Sequence, residues 1–108
     1  MKERDNMENI QEYLNHIAND YDSWMPAINE HQIKMREEFR ARISFQPWKK
    51  FIKIINGGSV HSFIVVGDQG KFKNGDILKA ASWAAPAKNF KRGNILTKDW
   101  ANVRWTGC

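Results

Sequence analysis

The strongest structural signal in this chain is the segment KKFIKIINGGSVHSFIVV, residues 49–66. Two apolar runs, 49–55 and 59–66, flank Asn56-Gly57-Gly58. Asparagine and glycine tolerate the positive φ angles that a tight hairpin turn requires. The segment therefore predicts two antiparallel strands joined by a short turn, and the rest of the fold is inferred outward from this hairpin.

Further strands are predicted on both sides of the hairpin. Before it, residues 41–45 alternate apolar and polar side chains, as a half-buried strand does. After it, turns at 67–70 and 74–76 lead to a strand at 77–82, and residues 84–94 form a basic loop without a regular period. We expect a helical turn from Thr97 to Trp100 and a short closing strand at 103–105. Because every connection is short, the predicted topology is an antiparallel meander of about five strands.

Two helices are predicted ahead of the sheet. One apolar stripe with helical spacing lies within residues 6–24, namely Ile10, Tyr13, Leu14, Ile17, Tyr21 and Trp24. Pro26 ends this helix and is suited to begin a second one over 27–39, which presents Ile28, Met35 and Phe39 on one side. The predicted fold class is α+β, with an N-terminal helical hairpin packed on one face of the sheet. Residues 1–108 form a single domain with an acidic helical part, 1–40, and a basic β part, 41–108.

The two parts differ strongly in charge. Residues 1–40 contain five basic and nine acidic side chains, and residues 41–108 contain twelve basic and three acidic ones, which together give the net charge of +5. Such segregation indicates an anionic partner for the second part. Two alternatives are a solvated basic surface and a homo-oligomer in which the basic surface meets the acidic part of a second copy.

Several classes of protein are disfavoured by the sequence. No apolar run approaches the roughly 18 residues that a membrane span requires, so we expect no membrane partner. The charged N-terminus leads into no apolar region typical of a signal peptide. A lone Cys108 provides no internal disulfide, and three scattered histidines have no metal-ligand spacing. We therefore expect a cytoplasmic protein without a metal or another cofactor.

The sequence contains no recognisable catalytic motif. It has neither a Gly-x-Ser-x-Gly nucleophile elbow nor a phosphate loop ending in Gly-Lys-Ser or Gly-Lys-Thr. Ser59 and Ser62 lie near His61, but adjacent side chains of a strand point to opposite faces. His61 is therefore interpreted as a packing residue, no catalytic residue is assigned, and the protein is not expected to be an enzyme.

The best candidate site is the segment from Lys79 to Arg104, which interleaves cations with aromatic rings. Cations attract phosphate, and aromatic faces stack on bases. Gly93 lets the backbone come close to a ligand, and Asn94 carries an amide that can both donate to and accept from a base edge. The predicted ligand-binding residues are Lys79, Trp83, Lys88, Arg92, Asn94 and Arg104.

Three motifs in the β part also resemble a family of small, mostly uncharacterised bacteriophage proteins. They are SVHSF from Ser59, GDILKAASWAAPAK from Gly75 and RGNI from Arg92, within the similar region of about 49–95. The resemblance implies a phage origin and the cytoplasm of an infected bacterial host. It also implies action by binding, and one strategy among such proteins is to sequester nucleotide immune signals made by the host.

Three functional hypotheses follow. The first is non-catalytic capture of a phosphate-bearing nucleotide by the Lys79 to Arg104 segment, as an anti-defence sponge. The second is binding of DNA or RNA by the same surface, with an affinity that falls steeply with salt. The third is a protein-binding inhibitor of a host factor, or a virion component.

Overall fold

The protein is an α+β fold, in which two helices are followed by a five-stranded antiparallel sheet. The structure, a computed structural model, describes the backbone of residues 2–108 and the side chains of residues 9–108. The elements are α1 (Lys2–Trp24), α2 (Glu30–Arg42), β1 (Ile43–Pro47), β2 (Phe51–Asn56), β3 (Ser59–Val65), β4 (Asp76–Lys79) and β5 (Gly93–Asn94). The strands are ordered β1-β2-β3-β4-β5, which confirms the predicted meander of five antiparallel strands.

The β2–β3 hairpin forms where the sequence predicts it. Ile52 pairs with Ile64, and Asn56 pairs with Ser59 across the turn. The turn is closed by Gly57, whose φ of +60° is the left-handed conformation that glycine accepts without steric cost. This hairpin therefore follows from local sequence alone.

The main core lies between α1 and one face of the sheet. Ile10, Tyr13 and Ile17 of α1 are fully buried and belong to one cluster with Ile54 and Ile64 of the sheet. Each such side chain contributes roughly 1.5–3 kcal/mol by leaving water. The predicted stripe of α1 is therefore core, except at its last position, where the Trp24 side chain remains 59% exposed.

Helix α2 differs from the prediction in its position and its packing. It begins at Glu30 because the Asn29 side chain caps it, with Oδ1 accepting a hydrogen bond from the Gln32 amide at 2.9 Å. Pro26 therefore does not begin the helix. Ile28 lies before it and is 86% exposed, so only Phe39 of the predicted apolar side is fully buried.

The last strands also differ from the prediction. Strand β4 ends at Lys79, not at residue 82, and the fifth strand is Gly93–Asn94, within the segment predicted to be an irregular loop. Residues 95–98 form turns instead of the expected helical turn, and residues 103–105 form no strand, since Arg104 makes only an isolated bridge with Gly107. The C-terminal segment is held instead by α1, because the His16 ring bonds the Val103 carbonyl and Asp20 accepts from the Trp105 amide.

The second face of the sheet carries a smaller apolar cluster. Phe63, Val65, Phe72 and Leu78 are buried there, and Phe51, Val60 and Ala80 pack against them. Among residues 2–108 no helix combines the length and the apolar character needed to cross a membrane.

Candidate functional site

A β-bulge in β3 places His61 and Ser62 side by side. Ser62 pairs with Ile54, whereas Val60 pairs with Ile55, so His61 is the extra residue of β3. The bulge brings His61 Nδ1 within 2.9 Å of Ser62 Oγ. The expectation that neighbouring side chains point apart is therefore wrong here, because it assumed a regular strand.

These two side chains belong to a buried hydrogen-bond network. Tyr13 Oη lies 2.8 Å from Ser62 Oγ, and His61 Nε2 lies 2.6 Å from the Arg104 carbonyl oxygen. Because a carbonyl only accepts, His61 donates from Nε2, and its Nδ1 accepts from the Ser62 hydroxyl. Burial raises the pKa of the Tyr13 phenol, so Tyr13 remains a donor to Ser62. The network links α1, β3 and the C-terminal segment.

Burial favours the neutral form of His61. Burial lowers the pKa of His61, and this effect exceeds the opposing effect of the hydrogen bond to the Arg104 carbonyl. Ser62 is completely buried, so its hydroxyl offers no nucleophile that a substrate could reach. The arrangement therefore fixes the buried His61 ring and ties the backbone of Arg104 to β3.

We expect the protein to lose stability as the pH falls below about 6.5. The folded-state pKa of His61 is lowered from about 6.5, so between the two values the unfolded chain binds more protons. The contribution of His61 is complete above the unfolded value and is lost as the pH falls toward the folded value, at up to about 1.4 kcal/mol per pH unit. Urea unfolding measured from pH 5 to 8 checks this, with His61→Gln as the control. An identical pH slope in both proteins would contradict it.

A depression of about 450 Å³ opens beside His61, between the ends of β3 and β4 and the C-terminal segment. We call it the central depression. Its polar and ionisable lining consists of His61, Lys79, Asn102, Arg104, Thr106 and Cys108. Two of the predicted ligand-binding residues, Lys79 and Arg104, lie 25 residues apart in the sequence. They are brought together by the pairing of β4 with β3 and by the return of the C-terminal segment past His61.

Arg92 does not line this depression, but its charge acts on Cys108, which does. Burial raises the pKa of the Cys108 thiol, while the charges of Arg92 and Lys79 act in the opposite direction. The Arg92 guanidinium lies 4.0 Å from the centre of the Phe90 ring, and its Nε is buried without a hydrogen-bond partner among the described residues. In the part of the chain that the structure describes, neither Lys79 nor Arg92 forms an ion pair. The Arg104 guanidinium, in contrast, lies 3.5 Å from the Asp20 carboxylate.

Trp83 lies in an adjoining depression of about 340 Å³. This Trp83 depression shares Val60 and Ala80 with the central one and is also lined by Gly58, Ser59 and Ser82. The Trp83 ring is 53% exposed. We call these two adjoining depressions together the groove; its lining includes both cationic side chains and an aromatic ring.

A cation that sequence reasoning missed lies behind Trp83. Lys53 is only 1% exposed, and its ammonium is 3.9 Å from the centre of the Trp48 ring and 4.4 Å from that of Trp83. Desolvated cation–π contacts contribute about 2 kcal/mol or more each. This lysine therefore holds the inner face of Trp83. The alternation within β2 indicates which face of the sheet Lys53 occupies, but no sequence signal indicates that two distant tryptophans enclose it.

Lys88 and Asn94, like Arg92, do not line the groove. The Lys88 ammonium lies 5.6 Å from the centre of the Phe51 ring. The Asn94 amide donates to the Asn74 carbonyl and to Asp76 Oδ1, and its oxygen accepts from the amides of Leu96 and Thr97. Asn94 thus uses its hydrogen-bonding groups within the fold, where it ties β5 to the preceding turn. Neither residue enters the site proposed below.

Comparisons with known proteins identify a family but no activity. No curated protein matches the chain, and no solved structure matches it. One family model, described as a family of unknown function, DUF7717, matches residues 1–108. Because this match extends over the whole sequence, the chain belongs to the DUF7717 family.

Proposed function

We propose that this protein binds a phosphate-bearing nucleotide in the groove without catalysing a reaction. One observation carries the proposal: Lys79 and Arg104 line a depression that shares Val60 and Ala80 with a second one, which is lined by the exposed Trp83. A nucleotide joins a phosphate to a flat base, and the groove joins cations to a flat ring. The phosphate therefore matches the cations of the central depression, and the base matches the ring of the adjoining Trp83 depression.

The phosphate end is supported by the state of the cations. Lys79 has no ion-pair partner among residues 9–108, so its ammonium is available to a ligand, and Arg92 adds positive charge near the same wall. Asn102 and Thr106 supply neutral donors in the same depression. Charge-assisted hydrogen bonds to phosphate contribute about 1.5–3 kcal/mol each, which favours a phosphate over a neutral ligand.

The base end is supported by the fixed position of Trp83. Its inner face rests on the Lys53 ammonium at 4.4 Å, and the ring remains 53% exposed. A ring already held in place loses little conformational entropy when a base stacks on it. Such stacking contributes about 1–3 kcal/mol per base.

The biological role that we propose is sequestration. The resemblance to small bacteriophage proteins supports action in the cytoplasm of an infected bacterial cell, where a captured nucleotide immune signal no longer reaches its receptor. Binding without turnover suits this role, since the hydroxyl nearest to His61 is completely buried.

The charge reversal Lys79→Glu should weaken nucleotide binding by at least about tenfold. It removes one phosphate contact of about 1.5–3 kcal/mol and adds a repulsive carboxylate. Titration calorimetry and the shift in melting temperature with AMP, ADP and cyclic nucleotides measure the effect. Lys50→Glu is the matched control, because Lys50 is exposed and lies outside the groove. Equal affinities for the two variants, or no binding by the unmodified protein at millimolar nucleotide, would contradict the proposal.

Salt dependence separates this function from binding of DNA or RNA. A protein that neutralises many phosphates loses affinity steeply as salt rises, with a slope proportional to their number. A ligand held by two or three cations gives a shallow slope. A steep slope with a long oligonucleotide, together with no affinity for nucleotides, would favour the nucleic-acid alternative.

A further inference from the structure

The groove continues beyond the central depression into a third one, of about 510 Å³. We call it the Trp24 depression. It shares Arg104 and Thr106 with the central depression and is otherwise lined by Asp20, Ser23, Trp24 and Trp105. The central depression shares a different pair of residues, Val60 and Ala80, with the Trp83 depression. The central depression therefore adjoins two other depressions through different residues. One of them is lined by Trp83 and the other by Trp24.

Trp24 provides a second aromatic face that is exposed and supported. Its side chain is 59% exposed, and its ring centre lies 5.0 Å from that of Trp105. Trp105 is fixed in turn by the edge-on contact with Tyr21 at 5.0 Å. The main core therefore supports Trp24 from behind, just as Lys53 supports Trp83.

Asp20 determines which part of a ligand this end accepts. Its Oδ2 accepts from the Trp105 amide at 2.8 Å, and its Oδ1 lies 3.5 Å from the Arg104 guanidinium. A carboxylate only accepts hydrogen bonds, so it repels a phosphate and attracts the amino and imino groups of a base. The order along the groove is then aromatic face, cations, aromatic face, with an acceptor at the Trp24 end.

We propose that the groove binds a dinucleotide, with its phosphate at Lys79 and Arg104 and one base on each of Trp24 and Trp83. This inference rests on the proposed function and specifies its ligand class. Pockets for one small molecule commonly occupy roughly 300–1,000 Å³. Each of the three depressions lies within that range, so a ligand that occupies all three is larger than one that fills the central depression alone.

The test compares adenine and guanine dinucleotides, linear and cyclic, with AMP and GMP by titration calorimetry. We expect a dinucleotide to bind at least tenfold more tightly than either mononucleotide. Trp24→Leu and Trp83→Leu should each remove that advantage, because each variant deletes one of the two aromatic faces on which the bases stack. Phe90→Leu is the matched control, because Phe90 is 54% exposed and lines none of the three depressions. Circular dichroism checks that each variant is folded.

The outcomes separate this inference from the proposed function. Binding of mononucleotides without any preference for dinucleotides, or a Trp24→Leu variant with unchanged dinucleotide affinity, overturns the inference and leaves the proposed function in place. No binding of any nucleotide overturns both. An affinity that keeps rising from dinucleotide to octanucleotide indicates a single-stranded nucleic acid and also overturns the inference.

Discussion

Replacing Gly93 by alanine should destabilise the protein by about 3 kcal/mol or more, a value at the upper end of what overpacking costs. A methyl group at this position would overlap with the carbonyl oxygen of Asp99 and would approach Ile77 Cδ1 to 3.3 Å. The Asp99 carbonyl cannot move away without losing the hydrogen bond of 2.9 Å that it accepts from the backbone N–H of Asn94. The backbone of β5 must therefore separate from residue 99 or from β4.

The measurement for this prediction is urea unfolding followed by far-ultraviolet circular dichroism. Gly58→Ala is the matched control, because a methyl group there has no atom within 4 Å and the residue has no positive φ. We expect a lower midpoint for Gly93→Ala with an unchanged dependence on urea, which indicates a change in stability alone. Equal midpoints for the two variants would show that β5 does not require glycine.

Gly93 also illustrates how far the sequence predicts this site. The Arg92-Gly93-Asn94 motif indicates a close approach of the backbone, and the sequence interpretation assigned that approach to a ligand. In the structure the neighbour is the backbone of Asp99. The residue type predicts that something lies close, but which group does so depends on how the C-terminal segment folds back. The identity of the neighbouring group therefore cannot be predicted from the residues around Gly93.

The elements that were predicted accurately have local causes. The β2–β3 hairpin depends on alternating apolar residues and on Gly57, all within one short segment. The elements that differ depend on specific contacts. Helix α2 begins where the Asn29 side chain caps it, and β5 exists because Gly93 and Asn94 pair with Ile77 and Asp76. Neither the cap nor this pairing leaves a periodic pattern.

The candidate site likewise combines features that have local causes with features that depend on contacts between distant residues. Charge segregation predicts a basic surface, and the interleaving of cations with aromatic rings selects Lys79 and Arg104 among six candidates. Their proximity depends on the pairing of β4 with β3 and on the return of the C-terminal segment past His61. The bulge at His61 and the position of Lys53 were not predicted, because the first interrupts the strand period and the second is set by two side chains 35 residues apart.

Replacing Lys53 by glutamate should destabilise the protein by roughly 3–5 kcal/mol, as expected for a buried charge without compensation. The ammonium now lies between the Trp48 and Trp83 rings, whose faces carry negative potential. A carboxylate at the same place would meet repulsion from both faces and would be 1% exposed, like the lysine it replaces. To reach water, the carboxylate must displace Trp83, so the variant should also bind nucleotide more weakly than the unmodified protein.

The measurements are the unfolding free energy in urea and the tryptophan emission of the folded state. Lys49→Glu is the matched control, since Lys49 is exposed and undergoes the same change of charge; it should alter stability by less than about 0.5 kcal/mol. Lys53→Met retains the apolar stem and removes only the charge, so its smaller loss isolates the cation–π contribution from that of packing. We expect a red-shifted emission for Lys53→Glu alone, because only that variant exposes to water the faces of Trp48 and Trp83 that now enclose Lys53. A Lys53→Glu protein as stable as Lys49→Glu would mean that the ammonium is not enclosed by the two rings and that Trp83 has no fixed inner face on which a base-stacking site depends.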